Sequence, residues 1–555
     1  MSDLLEDCIA IVPELGLVGA ACVCLVLGSC WQRRHSTAWR IAIVGFVAAM
    51  IFGVAEVTRR FVASGTYFDG GNPALPELAG LAVAAALYLI AGRSEEARSG
   101  RDRQSNAAFL LAMLALGLAV YHVFDEPRAF DEGVLRGVFV DAEGEGRALR
   151  IDAFSMACRI LMLLSLAVSL LLLFRRQEAT TLIHVGKVLL AHALAMLCAE
   201  TEHVLLLAVL VVLLGWIACA STAISRVACL VATVGVGLAV SALPPLEAGW
   251  SLDSLAFALD RRAQEGVVDT AMRVRAALGV GGSLWLLLGS TRGAGVGFAA
   301  CAAPALVSAL ILRVAMATSG TTVVAPFLHS AFVVAALLCF AGALLPMAAK
   351  AVLATPETRR SGFDPALQSL LSIGIVSMLM TAFWDFTRSE AGIVEASHAR
   401  EGVAACVVVL LFAWCLASSG LLLLRDERAW RRPAALAQRC LRFVFAATLA
   451  LAPPTIGFLG LLAALRVTAV PEVKVWLLLP FGAACLLRLQ QAILAWSDGQ
   501  LAIGVEGEDR GFARGGAGFL VFLLALLAGV ATVLLCFEVQ IVTDFARRAA
   551  FGLRL

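Results

Sequence analysis

The sequence predicts an all-α protein that crosses a membrane many times. Of its 555 residues, 61% are hydrophobic and 15% charged, with a mean hydropathy of +0.90. That balance leaves too little polar surface for a soluble fold of this length. The apolar residues also collect in runs long enough to cross about 30 Å of hydrocarbon as a helix. Within lipid only helices satisfy their own backbone groups without closing a barrel.

Taken in order, the apolar runs lie near residues 8–30, 38–57, 76–92, 107–124, 151–174, 182–200, 202–221 and 226–244. They continue near 294–317, 323–348, 367–386, 401–424, 438–464, 474–496 and 515–541, with a marginal one at 276–290. About 14–16 spans are expected, the last at 515–541 within a C-terminal segment, 501–555. The polar connections near 93–106, 125–150, 250–275, 352–364, 388–400 and 425–437 carry mixed charge and read as loops, each too short for an extramembrane domain. With no Rossmann fingerprint and no Walker lysine, the chain offers no nucleotide site. A net charge of +2 gives no reason to expect nucleic acid as a partner.

Lysine occurs only at Lys187, Lys350 and Lys474, and arginine supplies the remaining basic residues. The basic stretch Arg425 to Arg432 favours the negative side of the membrane for its loop. The fifteen cysteines are scattered singly through the spans, with one Cys22-x-Cys24 pair and no C-x-x-C. Such spacing suits small buried hydrophobes, and no metal site is expected. The acidic start, "MSDLLEDC", is neither a signal peptide's basic region nor a transit peptide, so targeting is expected within the first spans or in a presequence removed from the numbering.

One run conflicts with helix propensity. "LALAPPTIGFLGLLAAL", Leu449 to Leu465, carries Pro453 and Pro454 inside an apolar stretch. Each proline removes a backbone donor and frees a carbonyl, which is tolerated at membrane depth only where protein or internal water satisfies the freed groups. The stretch therefore reads either as a broken helix in the bundle interior, as in secondary transporters, or as a kink for packing.

"LALAPPTIGFLG" resembles the "SLAGIPPTAGFxGK" segment of the antiporter-like subunits of respiratory complex I, most of all subunit 2 of NADH dehydrogenase, the bacterial N subunit. Three other stretches resemble that subunit in the same order. They are the opening span with Pro13, Glu14 and Leu15, the span that starts at Asp152 and Phe154, and "ALAMLCAETEHVLLLAVLVVLLGW" with its short polar break. "LLRLQQAI" falls where the family has its last broken helix. The resemblance covers about residues 8–30 and 134–500. It makes 1–130 an N-terminal region with inserted helices near 76–92 and 107–124, and 131–500 an antiporter-like core. It implies two inverted five-helix repeats, about 151–317 and 323–496, each with a broken helix, at Pro304 and at Pro453–Pro454.

The family's pumping module would need a line of buried lysine, glutamate or histidine across the midplane. Position by position, most of that line is missing. The family glutamate falls near Val211 to Leu213, and the lysine of the first broken helix near Pro304 or Ala305, with Arg313 the nearest cation. The loop ahead of that helix is replaced by "LGSTRGAGVG", Leu288 to Gly297. A further lysine becomes Pro365 or Ala366, its histidine Ile375 or a neighbour, and the lysine after "GFLG" is Leu461. Arginine cannot stand in for a titrating lysine, because it stays protonated.

The remaining candidates for a proton path are Lys187, His192 and Glu200 on one span, and His329 behind Pro326 on another. A short relay from Lys187 through His192 toward Glu200 is one reading. The other has Lys187 snorkelling, with Glu200, Glu202 and His203 forming a polar break. His329 reads as a proton stop or as a hydrogen-bonded core histidine. Lys350 reads as an interface anchor, Asp385 and Arg388 as an ion pair at a helix end, and Glu14 as a surface or subunit contact. Asp152 and Arg159 lie two turns apart on one face.

The resemblance implies a membrane-arm subunit of a proton-translocating NADH:ubiquinone oxidoreductase, with no redox centre of its own. FMN, iron–sulfur clusters and quinone would belong to partner subunits. Other membrane-arm subunits and lipid such as cardiolipin are the expected partners. The cysteine count and the degenerate motifs point to a mitochondrial inner membrane, with a bacterial cytoplasmic membrane as the alternative. Two other readings remain: a stand-alone or Mrp-type cation/proton antiporter, which needs the ionisable line this chain lacks, and a purely structural subunit.

Overall fold

The computed structural model describes residues 11–33, 111–120, 123, 136–140, 147–175, 182–219, 223–241, 251–265, 298–318, 321, 324–353, 365–388, 393–424, 432–468, 478–501 and 516–552. The runs expected near 38–57, 76–92 and 276–290 lie outside these residues. The chain divides into two units, residues 1–125 with 169–193, and 126–168 with 194–555.

The smaller unit holds α1 (Val12–Arg33) and the first half of α3 (Leu182–Glu200). A Cβ at Gly186 would come 3.0 Å from the Ala21 carbonyl oxygen and 2.9 Å from Leu25, so a residue without a side chain lets the two helices close up. Glu14, read from the sequence as lying near a membrane surface or a subunit contact, is buried within the chain. The acid sits in the first turn of α1, where the positive end of the helix favours it.

The larger unit begins with an exception to the all-helical expectation. Part of the polar connection 125–150 is an antiparallel hairpin, β1 (Arg136–Val140) and β2 (Arg147–Ile151), with Val138 opposite Leu149. Branched residues in "RGVFV" and "RALRI" flank the glycine-bearing "DAEGEG", which is a hairpin pattern. The helices then follow as α2 (Ala153–Arg175), the end of α3, α4 (Val204–Cys219) and α5 (Ala223–Ser241). The connection 250–275 likewise contains a helix, α6 (Leu252–Gln264), capped by the Ser251 hydroxyl, which accepts from the Ser254 amide at 3.1 Å.

The chain continues through α7 (Ala303–Ala317), α8 (Val324–Leu353), α9 (Pro365–Arg388) and α10 (Ile393–Leu423), the last taking up much of the expected loop 388–400. Then come α11 (Arg432–Leu449), α12 (Ile456–Thr468), α13 (Leu478–Leu501), α14 (Gly516–Phe537) and α15 (Val539–Gly552). Five described helices are long and apolar enough to cross a membrane: Ala153–Leu173, Leu182–Glu200, Ala300–Ala317, Pro326–Pro346 and Arg400–Leu423. The span of α10 is 83% buried and that of α8 only 22%. That contrast makes α10 the central helix of this unit, packed by α9, α11, α12, α14 and α15, and turns α8 outward.

The proline pair marks a true break. The Ala452 amide donates to the Ala447 carbonyl at 2.9 Å and the Leu451 amide to Thr448 at 3.0 Å, with Leu451 left-handed at φ 58°. That is a Schellman end to α11. Pro453 and Pro454, joined by a cis peptide, follow it, and α12 starts three residues after Pro453, with the Thr455 hydroxyl donating to the Ala452 carbonyl at 2.6 Å. Pro304 behaves differently. It stands in the first turn of α7, directly behind a π-helical turn at Phe298–Ala302. The expected break there is a widened turn, because an early helix position needs no donor from proline.

The break is held closed by Gly457, where a Cβ would overlap the Thr448 carbonyl. Gly457→Ala is expected to destabilise the purified protein by about 1–3 kcal/mol through overpacking against backbone. Gly402→Ala, in α10 with nothing within 4 Å of its Cβ, is expected to be neutral or to gain up to about 1 kcal/mol of helix propensity. Thermal unfolding midpoints in detergent measure both, and equal effects at the two sites would refute the packing at the break.

Candidate functional site

The polar centre of the larger unit lies where α3 stops and α4 begins. Residues 201–203 run extended between two strand-like contacts, Thr201 bridging Leu149 of β2 and His203 bridging Ser251. The Glu202 carbonyl accepts from the Leu252 amide at 3.0 Å, and the His203 ring accepts from the Leu206 amide at 3.3 Å, capping α4. The hairpin and the N-terminus of α6 thereby hold the break open.

Three arginines and three carboxylates gather at this break. Asp152 caps α2, its Oδ1 accepting from the Ser155 amide at 2.7 Å. The Arg150 Nε stands 2.9 Å from Asp152 Oδ2, and Arg150 also donates to Glu202 Oε1 at 2.9 Å. Arg159, on the next turns of α2, donates Nε to Glu200 Oε1 at 2.6 Å and a terminal nitrogen to Oε2 at 3.3 Å. Arg313 of α7 donates Nε to the Ala199 carbonyl at 2.6 Å and a terminal nitrogen to the Ser155 hydroxyl at 2.7 Å. It also lies 3.7 Å from Asp152 and 4.0 Å from Glu202, and stacks over the Phe154 ring at 5.8 Å. The Ser155 proton can go to the Arg150 carbonyl at 2.7 Å or to Asp152 at 2.9 Å. All of these side chains except Glu202 are buried, and the charges balance. At the rim, on α6, loss of hydration and the nearby Glu202 push the Asp253 carboxyl up, with Arg150 opposing.

The break at Pro453–Pro454 repeats the device with a different helix. Arg488 of α13, fully buried, donates to the Leu449 carbonyl at 3.0 Å, to Gln368 Oε1 at 2.7 Å, to the Gln368 carbonyl at 3.2 Å and to Ser372 at 3.4 Å. Its guanidinium stacks over the Trp414 ring at 5.9 Å. Among the described residues no carboxylate pairs with it, so its charge faces the negative end of α11 instead. A third case closes α10, where the Leu424 carbonyl accepts from Arg442 and, at 3.1 Å, from Gln438.

Chemically these are fixed charges. A guanidinium does not give up its proton in a protein and donates in several directions from one plane. Glu200, a candidate for a relay, has both carboxylate oxygens on Arg159. His192 is buried in the smaller unit with Nδ1 2.8 Å from the Val188 carbonyl, one turn earlier on α3. Lys187 lies on an exposed face of the same helix. His329 is half-buried on the outward-facing α8. Arg159, on one face with Asp152 two turns earlier, partners Glu200. The side chains of Lys350, Asp385 and Arg388 lie outside the described residues. The cysteines near the core pack as small weak donors, Cys415 toward the Leu161 carbonyl at 3.8 Å and Cys301 toward Ser419 at 3.4 Å.

Sequence reasoning passed over Arg488 and Arg442. A signal for Arg488 was present, since it is the single charge between Lys474 and Asp498. Arg159→Met is expected to cost about 3–5 kcal/mol, because Glu200 is left buried without its partner. Adding Glu200→Met should recover most of that loss. Chemical denaturation of the single and double variants measures the coupling, and additive effects would disprove the pair.

No family model and no curated protein matches the sequence. Solved structures do share its fold. A chain of the Mrp complex from Dietzia sp. DQ12-45-1b is similar at a TM-score of 0.55 and 15% identity, over 87% of this chain and 97% of that one. A chain of respiratory complex I from Thermus thermophilus gives 0.54 and 16%, over 85% and 99%. A chain of the membrane-bound sulfane sulfur reductase, an archaeal respiratory membrane complex, gives 0.51 and 12%, over 86% and 98%. At these identities the likeness is one of fold, and the chain has the antiporter-like, predominantly helical membrane fold along most of its length.

Proposed function

We propose that this chain is a membrane-arm subunit of a proton-translocating NADH:ubiquinone oxidoreductase, standing in the place of subunit 2, whose own proton path is degenerate. The observation that carries the reading is that the cation donating to the freed carbonyls at the helix breaks is an arginine, Arg313 against Ala199 and Arg488 against Leu449. A relay must load and release protons, and guanidinium groups held by backbone carbonyls do neither. The fold shared with a chain of complex I supports the placement. The chain would then act in the arm as a scaffold between neighbouring subunits, with FMN, iron–sulfur clusters and quinone held by partners. A mitochondrial inner membrane, with cardiolipin among its lipids, is the setting this reading favours.

The second reading is a cation/proton antiporter of Mrp type, favoured by the similar score of the Mrp chain. The two separate by assembly and by transport. Native membranes are solubilised gently, complexes are resolved by native electrophoresis, and co-migrating proteins are identified. Co-migration with NADH-oxidising activity in a very large assembly is the expected result. Migration alone, or only with antiporter-type subunits, would sink the proposal. In proteoliposomes, the purified chain is expected to leave a sodium-driven pH gradient unchanged, whereas saturable exchange would establish the antiporter.

A further inference from the structure

Polar groups that face outward at mid-membrane depth need a cover that lipid cannot give. Depth in the larger unit is set by α10, whose span is Arg400–Leu423. Trp414 stands close to the middle of that span, within about 4 Å of helix. The Arg488 guanidinium lies over the Trp414 ring at 5.9 Å and donates to the Leu449 carbonyl at 3.0 Å. The end of α11 and the centre of α13 are therefore both near the midplane.

Gln490 follows Arg488 by two residues, about 3 Å along α13 and about 200° around it. Arg488 is thus turned inward and Gln490 outward, where it is exposed. Gln490 is also beside the middle of α13, roughly 17 Å of helix from either end. A side chain shorter than lysine does not carry its head from there to the edge of a hydrocarbon layer about 30 Å thick. Its neighbours on that face are Leu479, Leu486 and Ile493, all more than half exposed, and Ala483. Among the described residues the Gln490 amide makes no hydrogen bond.

A second feature at this depth points the same way. Pro453 and Pro454 are exposed, and their loop is held at the end of α11 by Gly457 against the Thr448 carbonyl. α11 packs beside α13, so the two exposed features are on adjoining elements. Non-helical backbone at membrane depth is tolerated only against protein or a water-filled cavity. A face of Leu479, Leu486 and Ile493 is no wall for water, which leaves protein as the cover.

We propose that the outward face of α13, with the adjoining break at Pro453–Pro454, receives a transmembrane helix of another polypeptide that hydrogen-bonds Gln490 through an Asn, Gln, Ser or Thr side chain. The amide sets the partner's chemistry. It is neutral and both donates and accepts, so a neutral side chain that does the same completes it without burying a charge. Ala483 and Gly482, where a Cβ would meet nothing within 4 Å, leave room for a second helix to approach closely. That this helix belongs to a different polypeptide rests on the membrane-arm reading, whereas the surface itself does not.

The test uses the complete assembly in native membranes, with a photo-crosslinking residue in place of Leu486, one turn from Gln490 on the same face. The expected link is to a transmembrane helix of a different polypeptide, with an Asn, Gln, Ser or Thr within one turn of the linked site. Lipid adducts alone, a second copy of this chain, another segment of this chain, or a partner helix without such a residue would each overturn the proposal. Gln490→Leu is expected to speed release of the chain from its assembly in detergent by about three- to thirty-fold, while the unfolding midpoint of the purified chain stays within experimental scatter. An unaltered release rate would overturn the proposal as well. Alanine at the partner's polar position should give a similar loss and add nothing to Gln490→Leu, and additive losses would refute the hydrogen bond. A linked partner in an assembly without NADH oxidation would keep the interface and remove the complex I reading. Lipid alone at Leu486 in an NADH-oxidising assembly would do the reverse.

Discussion

A helix that ends inside a membrane bundle leaves carbonyls without donors, and nothing in hydrocarbon can supply them. In this chain, two such ends are closed by an arginine from a different helix, Arg313 at the end of α3 and Arg488 at the end of α11, and Arg442 does the same where the α10 span ends. Most of the polar interior follows from that requirement. Arg313 can serve Ala199 only because Ser155, Asp152 and Phe154 hold its other face. Those residues are in turn placed by the hairpin that precedes α2.

The same choice decides what the interior can do. A lysine with a neutral neighbour can shed its proton when buried, which is why transport paths use it. Guanidinium groups locked onto carbonyls keep their charge and their geometry together. The cluster at the first break adds carboxylates to match its three arginines, so it is balanced as well as rigid. Arg488 has four neutral bonds in place of a carboxylate, one of them to the end of α11. Both arrangements stiffen a break that elsewhere would be a moving part.

How far the sequence could be read depended on which physical signal each feature carries. The break at Pro453–Pro454 was legible because two prolines in an apolar run violate a local rule. The membrane class was legible because hydrophobic length is a one-dimensional property. The hairpin was misread as loop, although its branched residues flank glycines, because charged residues masked the alternation. Pro304 was read as a break because a proline's effect depends on its position from the helix start, which apolar periodicity does not show. The burial of Glu14 within the chain was not legible, because burial of an acid depends on what packs around it.

The sequence by itself determined the membrane class and the site of the second break, since each rests on runs of residues or on backbone chemistry local to a few positions. Which side chains meet was decided by tertiary structure alone. Arg159 and Glu200 are 41 residues apart, Arg313 and Ser155 are 158 apart, and Arg488 reaches Gln368 across 120. No local pattern encodes such pairs. A buried guanidinium finds its acceptors only when packed helices bring a free carbonyl and an acid within reach at once.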